Sequence, residues 1–161
     1  MLTAHLPSGY VLARLVGRPA PLVLAAALSG SMVPDLDMLW FHFVDNGAIH
    51  HHRYWPHIPL IWFGIALVSL ALLLRTHYLT AGLAFFAAIF LHLALDTITG
   101  GILWLYPVND RLFTLVVVPA TQSHWVLSFI LHWTFLLELA VWAMAAWLWV
   151  RRPRPNIAVS A

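Results

Sequence analysis

Apolar residues in this chain come in long unbroken runs, not in the alternating or three-and-four spacing of soluble elements. About 20 consecutive apolar residues cross a bilayer as a helix, and the runs over 56–74, 78–98 and 125–150 reach that length. A fourth run, 19–33, is shorter and is closed by Pro34-Asp35-Leu36-Asp37. Before it, 6–16 is too short to span and reads as an interfacial or partly inserted helix that turns at Gly17-Arg18-Pro19. Residues 100–123 carry Gly, Pro and a β-branched patch over 114–118, the marks of one extramembrane loop. The pattern predicts an all-α fold. It is an integral membrane bundle of four to five helices, one domain over 1–150 with a short basic tail over 151–161.

Composition agrees. Hydrophobic residues make up 62% of the 161-residue chain, against about 45–50% in soluble domains, and charged residues 9% against about 25%. Much of this surface must face lipid, because one core of this size cannot hide it. The absence of Cys removes disulfides, iron–sulfur clusters, thiolate zinc sites and Cys nucleophiles, so any metal must be held by His and carboxylate. The N-terminus has no cationic segment ahead of an apolar run, so a removable signal peptide is not expected.

The pI of 9.5 reflects membrane orientation, not nucleic-acid binding, since the net charge is only +2 and basic residues cluster only in the tail. All eight cations are Arg. Arg14, Arg18, Arg75, Arg151, Arg152 and Arg154 map to one side of the expected spans and Arg53 and Arg111 to the other, which makes the former side and the C-terminus cytoplasmic. Asp35, Asp37, Asp45, Asp96 and Asp110 then gather at the external side with seven of the ten His: His42, His50, His51, His52, His57, His92 and His124. Trp40, Trp55, Trp62, Trp104 and Trp125 near one face, and Trp142, Trp147 and Trp149 near the other, read as aromatic belts.

Carboxylates crowded into a partly desolvated region repel one another, and a divalent cation removes that cost. His92 and Asp96 stand at i, i+4 on one helix face. In an extended segment Asp35 and Asp37 turn the same way, and His52 and His57 flank the start of the next span. Three separated segments thus bring His or Asp to one membrane depth. Imidazole and carboxylate together suit Zn, Mn or Fe.

These residues resemble a known family. Asp35-Leu36-Asp37 after Pro34, His52-Arg53-Tyr54-Trp55-Pro56-His57, and His92 to Asp96 followed by Thr99, Gly100, Trp104 and Pro107 are similar in order and distance to the motifs of the YdjM-like inner-membrane proteins, predicted metal-dependent hydrolases. The likeness covers roughly residues 3–107. A more distant similarity is to zinc-dependent phospholipase C and the fungal single-strand nucleases, whose ligands include a His near the N-terminus. The resemblance implies the metal ligands His5, Asp37, His52, His57, His92 and Asp96, with Asp35 and Asp37 interchangeable as ligand. The family has Thr before and Ser after the second His of its HRxxxH motif. Here Pro56 and Ile58 leave His57 without those hydroxyls.

The implied activity is metal-assisted hydrolysis with one or two divalent ions, Zn ahead of Mn. Asp35 is the candidate general base, and Arg53 the candidate holder of an anionic group. The partners are the bilayer and an amphiphilic or lipid-like ester or phosphoester, with no nucleic acid, at the outer face of a bacterial or archaeal cytoplasmic membrane. His50 and His51 read as solvated interface residues, and Ser29 and Ser31 as packing positions in a chain without GxSxG. His132 is expected at a depth similar to that of His92, where the two could share a metal or clamp a haem, the main non-hydrolytic alternative beside a non-catalytic scaffold. Glu138 lies about 9 Å deeper, out of reach of a site at the mouth.

Overall fold

The computed structural model describes residues 3–15 and 19–152. Arg18, Arg154, most of the expected tail and Val16 at the end of the first run lie outside them. Among the described residues seven α-helices follow in order: α1 (His5–Leu15), α2 (Pro21–Gly30), α3 (Asp37–Phe43), α4 (Pro59–Leu73), α5 (Leu79–Thr99), α6 (Trp125–Ile130) and α7 (Phe135–Val150). Short 3-10 turns cover Pro34–Leu36, His51–Arg53 and Trp55–His57. Pro21 and Pro59 open α2 and α4, where a missing N–H costs nothing. Among the described residues the one β contact is the isolated bridge between Ile102 and Phe113.

The longest helix, α5, lies at the centre against α1, α2 and α4, while α7 packs on α1. Small residues set the closest approach: Ala13, Ala27 and Ala88 meet in one buried cluster. At Gly30 a Cβ would stand 2.2 Å from the carbonyl oxygen of Phe85, so α2 can press on α5 only with glycine there. A second cluster joins Trp62, Ala66, Phe86, Ile89, Leu93 and Ile102. Trp62, expected in an aromatic belt, is therefore a core residue, and its indole N–H donates to the Pro56 carbonyl at 2.7 Å.

The outside is as greasy as the core. Leu60, Phe63, Leu67, Val68 and Leu72 on α4, and Leu136, Leu139, Trp142, Trp147 and Trp149 on α7, all stand exposed. A continuous apolar surface of this kind fits lipid rather than water. By length and composition α5 is the one described helix able to cross a bilayer, and α2 with the segment Pro34–Phe43, bent by 51°, passes only as a pair. At 1.5 Å per residue the 15 residues of α4 and 16 of α7 reach only about 22 and 24 Å, short of a core of about 30 Å. Helix length thus supports one or two spans where four to five were expected.

The run over 125–150 shows why. It breaks over 131–134, where His132 Nδ1 lies 2.9 Å from the Thr134 hydroxyl and accepts the Thr134 N–H at 3.4 Å. Side chains that bond locally to the backbone compete with helix continuation. The loop after α5 has a positional role. The N–H groups of Leu115 and Val116 donate to the carbonyls of Thr97 and Ile98, both at 2.8 Å, so the loop folds back and satisfies the helix end.

Candidate metal centre

Five segments deliver the polar residues to one buried place. α1 begins with His5; the turn after α2 carries Asp35; α3 begins with Asp37; the two turns before α4 carry His52 and His57; and α5 presents His92 and Asp96 one helical turn apart. His5, Asp37, His52, His57, His92 and Asp96 are all buried in an otherwise apolar bundle.

Asp96 sits in the middle. Its Oδ1 is 3.1 Å from His5 Nε2, and its Oδ2 is 3.1, 3.5 and 3.6 Å from the Nε2 atoms of His92, His52 and His57. Asp35 Oδ1 faces the same nitrogens of His92 and His57 at 3.6 and 3.9 Å. The imidazoles form two stacked pairs, His5 on His92 with ring centres 3.7 Å apart and His52 on His57 at 4.4 Å.

The far side of each ring fixes its tautomer. His92 Nδ1 lies 2.8 Å from the Ser31 carbonyl and His52 Nδ1 2.8 Å from the Gly101 carbonyl. A carbonyl only accepts, so both Nδ1 atoms carry the proton. With that proton placed, a neutral ring turns its Nε2 lone pair toward Asp96. His57 Nδ1 donates to Asp37 Oδ2 at 2.6 Å, which replaces the hydroxyls missing beside Pro56 and Ile58, and against the opposite pull of burial Asp37 and Asp96 hold this imidazole up, at about 9. Burial pushes the His52 imidazole down to about 3, so it stays neutral at physiological pH. Gly100 makes room for it. A Cβ there would stand 2.4 Å from His52 Cε1.

The result is a crowd of imidazole nitrogens around carboxylate oxygens. The Nε2 atoms of His57 and His92 are buried without a hydrogen bond, although each lies within 3.6 Å of a carboxylate oxygen. Leaving such atoms unpaired costs about 1–3 kcal/mol each. Ligands about 2.0–2.1 Å from one tetrahedral zinc stand about 3.3 Å from each other, close to the separations found here. One ligand atom each from His5, Asp35, His92 and Asp96 lies within 4.8 Å of the others, and the same holds for His51, His52 and His57. This buried His/Asp group could hold a metal ion.

The two aspartates of the PDxD motif do not point the same way. The segment is helical, not extended, and two residues along a helix are roughly 200° apart. Asp35 therefore faces the Nε2 atoms while Asp37, expected as a ligand, faces His57 Nδ1 and His51. Asp45, bonded by the Tyr54 hydroxyl, and Asp110, exposed on the loop, stay out of the cluster they were expected to join. Arg53 is exposed on its turn, next to His52. His50 and His124 accept N–H groups at the starts of the turn at His51–Arg53 and of α6. His132 is half-buried in the break before α7, while His92 Nε2 faces the carboxylates of Asp35 and Asp96.

His51 was missed as a site residue. The His-rich run hid that the turn sends His51 and His52 inward and His50 out. Glu138 is held apart from this centre by Thr3, which donates to its Oε2 through both N–H and hydroxyl at 2.7 and 2.6 Å.

An all-helical chain with an apolar exterior and a buried His/Asp centre belongs to the class of membrane proteins that could bind a metal ion. The model of the YdjM inner membrane protein family matches residues 1–156, and the chain belongs to that family. No curated protein and no solved structure matches it.

Proposed function

We propose that the chain is a membrane-bound metal-dependent hydrolase that cleaves a phosphoester or other ester of an amphiphilic, lipid-like substrate at the external face of a cytoplasmic membrane. The observation that carries the reading is the pair of buried Nε2 atoms, on His57 and His92, that face carboxylates without a hydrogen bond. His5, Asp35, His92 and Asp96 hold the cation, zinc ahead of manganese, with His52 and His57 beside them. Of the two aspartates of the motif, Asp35 ligates and Asp37 orients His57.

A bound divalent cation supplies a water of lowered pKa and polarises the ester or phosphoryl oxygen. Asp35, whose side chain is 28% exposed, is the carboxylate of the group open to the outside, and one of its oxygens takes the proton of the attacking water. Arg53, at the rim, steadies the anionic group. An apolar cavity of about 700 Å³ is walled by Thr97, Trp104, Leu105, Phe113 and Leu115 with Arg111, and Thr97 directly follows Asp96. That lining suits a hydrocarbon tail beside an anionic head. The Arg bias supports an outward-facing centre and a cytoplasmic C-terminus.

Detergent-purified protein assayed on chromogenic phosphodiesters and on phospholipid micelles should lose hydrolysis on chelation and regain it with Zn²⁺ or Mn²⁺, and His92→Ala should stay inactive. Hydrolysis that survives chelation, or none with either metal restored, contradicts the reading.

A further inference from the structure

The geometry points to a second cation position, held by His51, His52 and His57, which makes the centre a two-ion site with His51 as a ligand that the HRxxxH pattern does not contain. The inference rests on the metal reading above and extends it to a residue outside the motifs.

The two ligand groups share no residue, yet they adjoin. Two carboxylates stand between them. Asp96 turns Oδ1 to His5 at 3.1 Å and Oδ2 to His92 of the first set at 3.1 Å and to His52 and His57 of the second at 3.5 and 3.6 Å, while Asp35 Oδ1 reaches His92 at 3.6 Å and His57 at 3.9 Å. Carboxylates shared between two neighbouring sets of nitrogens are the arrangement that holds two ions about 3.5–4 Å apart in hydrolytic centres. Each stacked imidazole pair belongs to a different set, His5 and His92 to the first and His52 and His57 to the second.

A pair of imidazoles with a shared carboxylate is a thin ligand set, and His51 completes it. Its ring lies 4.1 Å from that of His52 and 5.4 Å from that of His57. Its side chain is 25% exposed, but its Nδ1 is buried and makes no hydrogen bond. The carboxylate oxygen it faces, Asp37 Oδ1, is 3.8 Å away, beyond hydrogen-bond reach, and is itself buried without a hydrogen bond. A purely structural His–Asp pair would close that gap. The partial exposure of His51 gives the second ion a route in from outside, as that of Asp35 does for the first.

The test is metal stoichiometry by elemental analysis after dialysis against Zn²⁺, with melting followed on the same samples. Wild type should hold two ions per chain and His51→Ala one, with little change in melting. His50→Asn, which keeps an acceptor for the His52 amide, should hold two. Two ions in His51→Ala, or one in wild type, overturns the second position and leaves the first. No ion in wild type overturns both. Should His51→Ala fail to fold, electron paramagnetic resonance of Mn²⁺-loaded wild type decides: a spin-coupled pair is expected, and an isolated-ion signal overturns the inference.

Discussion

Two polar clusters in this greasy bundle each gather around a buried carboxylate, and they are built on different principles. On α7, Glu138 accepts the N–H and hydroxyl of Thr3, whose oxygen in turn accepts the indole N–H of Trp142 at 3.2 Å. Donors meet acceptors, and the cluster ties the N-terminal segment to the last helix. At the end of α5 imidazole nitrogens and carboxylate oxygens crowd one another, while the Nδ1 protons of His92, His52 and His57 point outward to Ser31, Gly101 and Asp37. A cluster of the first kind is complete as protein alone; crowded imidazoles and carboxylates are a ligand set for a cation. Burial by itself does not distinguish a structural site from a functional one. The direction of the protons does.

The comparison can be broken at either cluster. The largest effect is expected from Gly100→Ala, because the added methyl meets His52 Cε1 at 2.4 Å with the backbone of Asp96 close behind. His52 must leave its place, and metal affinity should fall by more than the roughly 10–100-fold that follows loss of an outer-shell partner. Competitive chelator titration measures it. Glu138→Leu should have the smaller and different effect of lowering stability by about 1.5–3 kcal/mol, the worth of a hydrogen bond to a charged group. Melting in detergent should record that loss, while metal content stays at the wild-type level. Metal loss without lowered melting in Glu138→Leu would erase the distinction between the two clusters.

Much of the centre was legible in the chain. The i, i+4 spacing of His92 and Asp96 survives because it depends only on a long unbroken helix. The early His and the HRxxxH segment do converge on Asp96, as the resemblance implied. What was not legible depends on local backbone choices. A 3-10 turn in place of an extended segment separates Asp35 from Asp37, and two residues, His132 and Thr134, split an apolar run that hydropathy reads as continuous. His51 was hidden for the same reason, since only the turn decides which members of a His run face inward. The membrane assignment was plain from composition, but the number of spans was not, because apolar length alone ignores breaks.

X-ray absorption at the zinc edge of metal-loaded protein in detergent tests the central claim most directly. The account predicts about four nitrogen and oxygen neighbours at about 2.0–2.1 Å with the outer-shell pattern of imidazole rings, lost in His92→Ala. A first shell of oxygen alone without imidazole, or a spectrum unchanged by that substitution, would contradict it.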